Sequence, residues 1–105
     1  MNPDREIRDQ LAVLSHEETE AFPPGDFVRE ELAARNWTQA DLARIIGQSL
    51  QHVNMLVRNR RKITPRTAVQ LGAAFGSSAE VWLRLQNAYS LYLLEQKRPK
   101  EQDHE

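Results

Sequence analysis

Thr38-Gln39-Ala40-Asp41-Leu42-Ala43-Arg44-Ile45-Ile46, then Gly47-Gln48-Ser49, then Leu50-Gln51-His52-Val53-Asn54-Met55-Leu56-Val57-Arg58: this stretch decides the fold. Thr38 is placed to cap the free amides of a helix, and Asp41, three residues on, to return a bond to the cap. The apolar face of that helix is predicted as Leu42, Ile45 and Ile46, and Gly47 ends it. Two residues later Ser49 caps a second helix with an inward stripe of Val53, Leu56 and Val57. A three-residue turn forces the second helix to cross the first steeply, which presents its other face to whatever the protein binds.

On a wheel of 100° per residue, Gln51, Met55 and Arg58 point away from that stripe, and His52 and Asn54 lie on its flanks. No acid falls between Ser49 and Lys62. Gln and Asn form paired hydrogen bonds with adenine in the major groove, and a methionine packs on a thymine methyl. The pattern therefore points to a helix-turn-helix that reads duplex DNA. Arg58-Asn59-Arg60-Arg61-Lys62 follows directly and suits the phosphate backbone flanking the groove. Gln39 stands at the amide end of the preceding helix, where a phosphate is readily bound. The expected phosphate-binding set is Gln39, Ser49, Arg58, Asn59, Arg60, Arg61 and Lys62.

Outward from this core, Pro24 to Arg35 reads as a helix with Val28 and Leu32 inward. Thr64 before Pro65 opens another, carrying Ala68, Leu71 and Phe75 to Gly76. Ser77 with Glu80 is predicted to cap the last, which runs to about Gln96. Period-2 alternation is absent, so the fold class is all-α, five helices. Three parts are expected: an acidic extension over 1–23, a helical domain over 24–96 and a charged tail over 97–105. Ile7, Leu11 and Leu14 recur at helical spacing within the extension.

The net charge of −1 conceals a division. Residues 1–23 hold Asp4, Glu6, Asp9, Glu17, Glu18 and Glu20 against Arg5 and Arg8, whereas 24–76 hold eight bases against four acids. Local charge, rather than the total, steers a phosphate backbone. The acidic extension has three readings: a solvated tail, a cover for a basic partner, or a segment that folds back on the basic domain and weakens DNA binding. The chain has no cysteine and no apolar run of membrane-spanning length. No leader is expected, and the setting is cytoplasmic, at the nucleoid. His16, His52 and His104 are scattered without metal-ligand spacing, so no metal or cofactor is expected. No nucleophile, base and acid lie on neighbouring elements, so no enzymatic role is expected.

Trp82, Leu85, Tyr89 and Tyr92 recur along one side of the last helix. Core packing is one reading. A homodimer interface is the other, favoured because one reading helix supplies few contacts and two helices about 34 Å apart read a palindrome.

Pro24-Gly25-Asp26-Phe27-Val28-Arg29-Glu30-Glu31-Leu32, Trp37 to Ala43, Ile63 to Ala68 and Phe75-Gly76-Ser77-Ser78-Ala79-Glu80-Val81-Trp82-Leu83-Arg84-Leu85-Gln86 together resemble the HigA antitoxins of the Cro/C1-type helix-turn-helix group. The resemblance covers about residues 23–92. It implies a lambda-repressor-like domain, a homodimer that represses its own operon through double-stranded operator DNA, and a HigB-like, RelE-like mRNA-cleaving toxin as partner. It places the reading helix on Leu50 to Arg58, so the base-reading set becomes Leu50, Gln51, His52, Asn54 and Met55. A stand-alone transcriptional repressor and a protein-binding inhibitor without DNA contact are the competing readings.

Overall fold

The computed structural model describes residues 21–97. The expected helix around Ile7, Leu11 and Leu14, and most of the charged tail, lie outside the described residues. Five helices follow in order: α1 (Pro24–Arg35), α2 (Gln39–Ile46), α3 (Leu50–Val57), α4 (Pro65–Phe75) and α5 (Ala79–Gln96). Among the described residues no strand forms.

Local chemistry sets each boundary. Proline fixes φ near the helical value and lacks the N–H that the first turn leaves unpaired, which suits Pro24 and Pro65 as first residues. Thr38 Oγ1 accepts from Asp41 N at 3.0 Å while Asp41 Oδ2 accepts from Thr38 N at 2.8 Å, a complete reciprocal cap. Ser49 Oγ accepts from His52 N at 3.0 Å and opens α3. Between them Gly47 sits at φ 72°, where a side chain is strained, and turns the chain out of α2. The cap of α5 lies one residue later than predicted. Ser78 Oγ accepts from Val81 N, and Ser77 Oγ accepts instead from the indole Nε1 of Trp82 at 2.9 Å. A buried indole N–H needs an acceptor, and that need takes Ser77 away from the cap.

The core draws on every helix. Val28, Leu42, Val53, Ala68, Leu71 and Trp82 are fully buried. α2 packs on α3 and α4, α1 on α3 and α5, and α5 closes the bundle against α4. Ile45, predicted inward, is exposed. The buried arc of α2 runs through Leu42, Ile46 and Ala43, which leaves Ile45 beyond its edge. At the far end Phe75 lies 5.8 Å from the rings of both Trp37 and Trp82. The Arg35 guanidinium stands over Phe75 at 4.9 Å and donates to its carbonyl at 2.8 Å, so one side chain closes the C-terminus of α4.

The predicted dimer residues divide. Trp82 and Leu85 are 0% and 2% exposed within a single chain, which makes them core and removes them from any subunit seam. Tyr89 and Tyr92 remain half-buried, with Leu91 and Leu94 exposed beside them.

Candidate nucleic-acid interface

α3 is held from two sides, and both anchors leave its outer face free. On one side it packs on α2. On the other, the start of α1 meets the end of α3. Asn59, at φ 60°, turns its carboxamide back so that Oδ1 accepts from Gly25 N at 2.6 Å and Nδ2 donates to Asp26 Oδ1 at 3.3 Å. Arg29 donates to the Val57 carbonyl and to Asp26 Oδ1, the latter at 2.6 Å. The approach is close: a Cβ on Gly25 would collide with the Leu56 carbonyl oxygen and stand 2.9 Å from that of Val57. Asn59 was predicted to bind phosphate, but its amide is committed to α1. A left-handed backbone at the end of a helix favours asparagine or glycine, and that demand explains the residue better than a ligand does.

The outer face of α3 carries exposed Leu50 and Gln51, with Asn54 and Met55 half-buried, and exposed Arg58 follows at its end. Asn54 Nδ2 donates to Gln39 Oε1 at 3.1 Å, so the first residue of α2 fixes an amide in the middle of the predicted reading helix. Gln39 keeps its own amide donors for a phosphate, and Asn54 keeps its carbonyl for a base edge. His52 departs from expectation. Its Nε2 is sealed from solvent and has no partner among the described residues, so that atom is not offered to a groove. Burial, with the Arg61 charge adding to it, holds the imidazole pKa below its ordinary value. Asp41 is shifted down as well, by the Thr38 backbone N–H first and then by Arg44, and so stays ionised within its cap.

Charge is arranged to leave one face positive. Asp26, Glu31 and Asp41 are each tied to an arginine three or four residues on, namely Arg29, Arg35 and Arg44. Arg58, Arg60, Arg61, Lys62 and Arg66 are all exposed and form no such pair among the described residues. The loop that carries all of these but Arg66 is pinned from beneath: Ile63 N donates to Gln86 Oε1 at 2.8 Å, and Gln86 Nε2 donates to Ser90 Oγ at 2.9 Å. Gln86 is buried, and neither its role nor that of Arg29 is signalled by local spacing. No group of three or more potential metal ligands occurs among the described residues. None of the described helices is long and apolar enough to cross a membrane.

Residues 28–82 match the family model described as Helix-turn-helix. Virulence-associated protein I of Dichelobacter nodosus is 39% identical over 80 residues, covering 75% of this chain and 74% of that protein. Among solved structures, the Pseudomonas aeruginosa antitoxin HigA with the higBA promoter superposes at a TM-score of 0.76 with 36% identity, over 82% of this chain and 95% of that one. An addiction module antidote protein of the HigA family from Coxiella burnetii gives 0.75 at 30% identity, over 83% and 96%. The helix order, the capped turn and these likenesses agree: the chain belongs to the Cro/C1-type helix-turn-helix family, with HigA antitoxins as its structural neighbours.

Proposed function

We propose that the protein is an antitoxin that represses its own operon as a dimer and neutralises a HigB-like toxin. The observation that carries the DNA half is the outer face of α3, free of acids and followed by a loop whose bases have no carboxylate partner among the described residues. Leu50, Gln51, Asn54 and Met55 meet base edges in the major groove. Gln39, Ser49, Arg58, Arg60, Arg61 and Lys62 hold the backbone. The likeness to a HigA solved with its promoter supports this docking. Residues 24–96 act as the DNA-binding and dimerising unit, working in the cytoplasm. Tyr92 and exposed Leu91, near the end of α5, form the subunit contact, since Trp82 and Leu85 are consumed by the core.

Fluorescence anisotropy with the DNA upstream of the gene and a scrambled duplex tests the reading at physiological salt. Preference for the native duplex, lost in Gln51→Ala/Asn54→Ala, is the expected result. Equal binding to both duplexes, unchanged by the substitutions, rejects α3 as the reading helix. For the toxin half, co-purification of the adjacent gene product with the intact chain, and relief of its growth arrest, is expected. Its absence leaves a stand-alone repressor.

A further inference from the structure

The described surface holds a cleft of about 340 Å³ between the basic loop, the start of α1, Leu56 of α3 and the C-terminal half of α5. Ile63, Leu93 and Leu94 give it an apolar wall. Arg60, Arg61, Lys62 and Lys97 line it too, and among the described residues no acid does. Leu94 is 66% exposed and Leu93 39%, so no described residue covers this apolar surface beside four positive charges. The rim is formed by Pro24 and Gly25, the first two residues of α1. Residues 1–20 therefore join the domain, through Ala21, Phe22 and Pro23, at the edge of this cleft.

We propose that the cleft binds the chain's own acidic N-terminal segment, and that the bound segment competes with DNA for the basic loop. Complementarity is twofold. Residues 1–20 carry six acids against two arginines, and the cleft carries four bases. Ile7, Leu11 and Leu14 recur at a spacing that puts them on one side of a helix, and the cleft offers Leu93, Leu94 and Ile63. Six residues separate Leu14 from the first described residue, Ala21, a reach of about 20 Å when extended, enough to return onto a cleft at the point of attachment. Tethering supplies an effective concentration in the millimolar range, so a contact too weak to hold a free peptide suffices. A second copy brings the same bases to the same place, and like charges disfavour it. Arg60, Arg61 and Lys62 belong both to this cleft and to the proposed phosphate contacts. Occupation by carboxylates would thus lower affinity for any duplex, the non-specific one most, because its binding rests on phosphate contacts alone. The competition rests on the DNA-binding reading, whereas the docking does not.

With no native cysteine, Gln10→Cys in the full chain accepts a single nitroxide label. In the ¹⁵N-labelled protein, the amides of Arg60 to Ile63 and of Leu93 and Leu94 are expected to broaden. Leu11→Ser/Leu14→Ser should abolish that broadening. Mixing ¹⁵N-labelled chain that carries no nitroxide with spin-labelled ¹⁴N chain should produce none. Sharp cleft amides overturn the proposal, and broadening seen in the mixed sample assigns the cleft to a second copy and overturns it equally. For the competition, Glu17→Gln/Glu18→Gln/Glu20→Gln should bind a scrambled duplex roughly tenfold more tightly at low salt, where charge is least screened. Unchanged affinity removes the competition. Failure of both proteins to bind any duplex, with the broadening intact, rejects the DNA reading and leaves the docking standing.

Discussion

A side chain in this interface works through what it touches inside the chain before it meets a ligand. Asn54 is the clearest instance, since its bond to Gln39 fixes which amide atoms remain for a base edge. His52 is the opposite case, with a buried ring nitrogen that has no partner among the described residues. Its depressed pKa has a definite sign. The native state disfavours the imidazolium, so the unfolded chain binds more protons below the ordinary imidazole pKa of about 6.5. Stability from this residue is complete above that value and declines as pH falls from there toward the lowered native pKa. Below that pKa the loss is complete. Urea midpoints at pH 7.5 and pH 5.5 should therefore converge in His52→Gln relative to the parent chain. An identical pH difference in the two proteins would show that His52 is indifferent to folding. Residue positions were legible from the sequence where the helical repeat alone defines them, as at the exposed Gln51 and Arg58. They were not where a long-range partner intervenes: nothing in the spacing of Asn59 announces that its amide is held by Gly25, 34 residues away.

Elements were legible because their ends are chemically marked within three or four residues. Thr38 with Asp41, Ser49, Thr64 before Pro65, and Gly47 each act on their own neighbours, so the boundaries of α2, α3 and α4 follow from short patterns. What the sequence did not disclose is how elements are joined. The α5 cap shifted because the indole of Trp82 claims Ser77, a demand visible only once the helix is packed. The joint between the basic loop and α5 rests on Gln86, whose Oε1 accepts from the buried Ile63 N–H. Removing that acceptor while keeping the volume apolar leaves a backbone donor unsatisfied, which costs about 1–3 kcal/mol. Gln86→Leu should lower the urea midpoint accordingly, whereas Gln86→Glu, which keeps the acceptor, should lose less. A loop freed from α5 also has more conformations to give up on meeting a phosphate backbone. Affinity for scrambled DNA should then fall in Gln86→Leu even at temperatures where the variant is fully folded. Unaltered stability would mean that water replaces the glutamine and that the joint is dispensable.

At the scale of the whole molecule, the total charge of −1 conceals a separation of charge along the chain. Three acids of the helical domain are neutralised locally by arginines of their own helices, so the positive face is made of bases that form no ion pair among the described residues. Release of counterions from DNA counts cationic contacts to phosphate, which in the proposed docking means Arg58, Arg60, Arg61 and Lys62, not the neutral Gln39 and Ser49. If each protomer of a dimer neutralises three or four phosphates, log K should fall against log salt with a slope of roughly −5 to −7. A monomer bound alone would give about half that. The slope thus reads docking and assembly together, and Tyr92→Asp, aimed at the proposed subunit contact, separates them. In that variant the slope should halve while each reading helix keeps its sequence preference on a single half-site. A slope near zero in the parent chain would exclude phosphate docking by the basic loop. A full slope retained in Tyr92→Asp would move the subunit contact away from the end of α5.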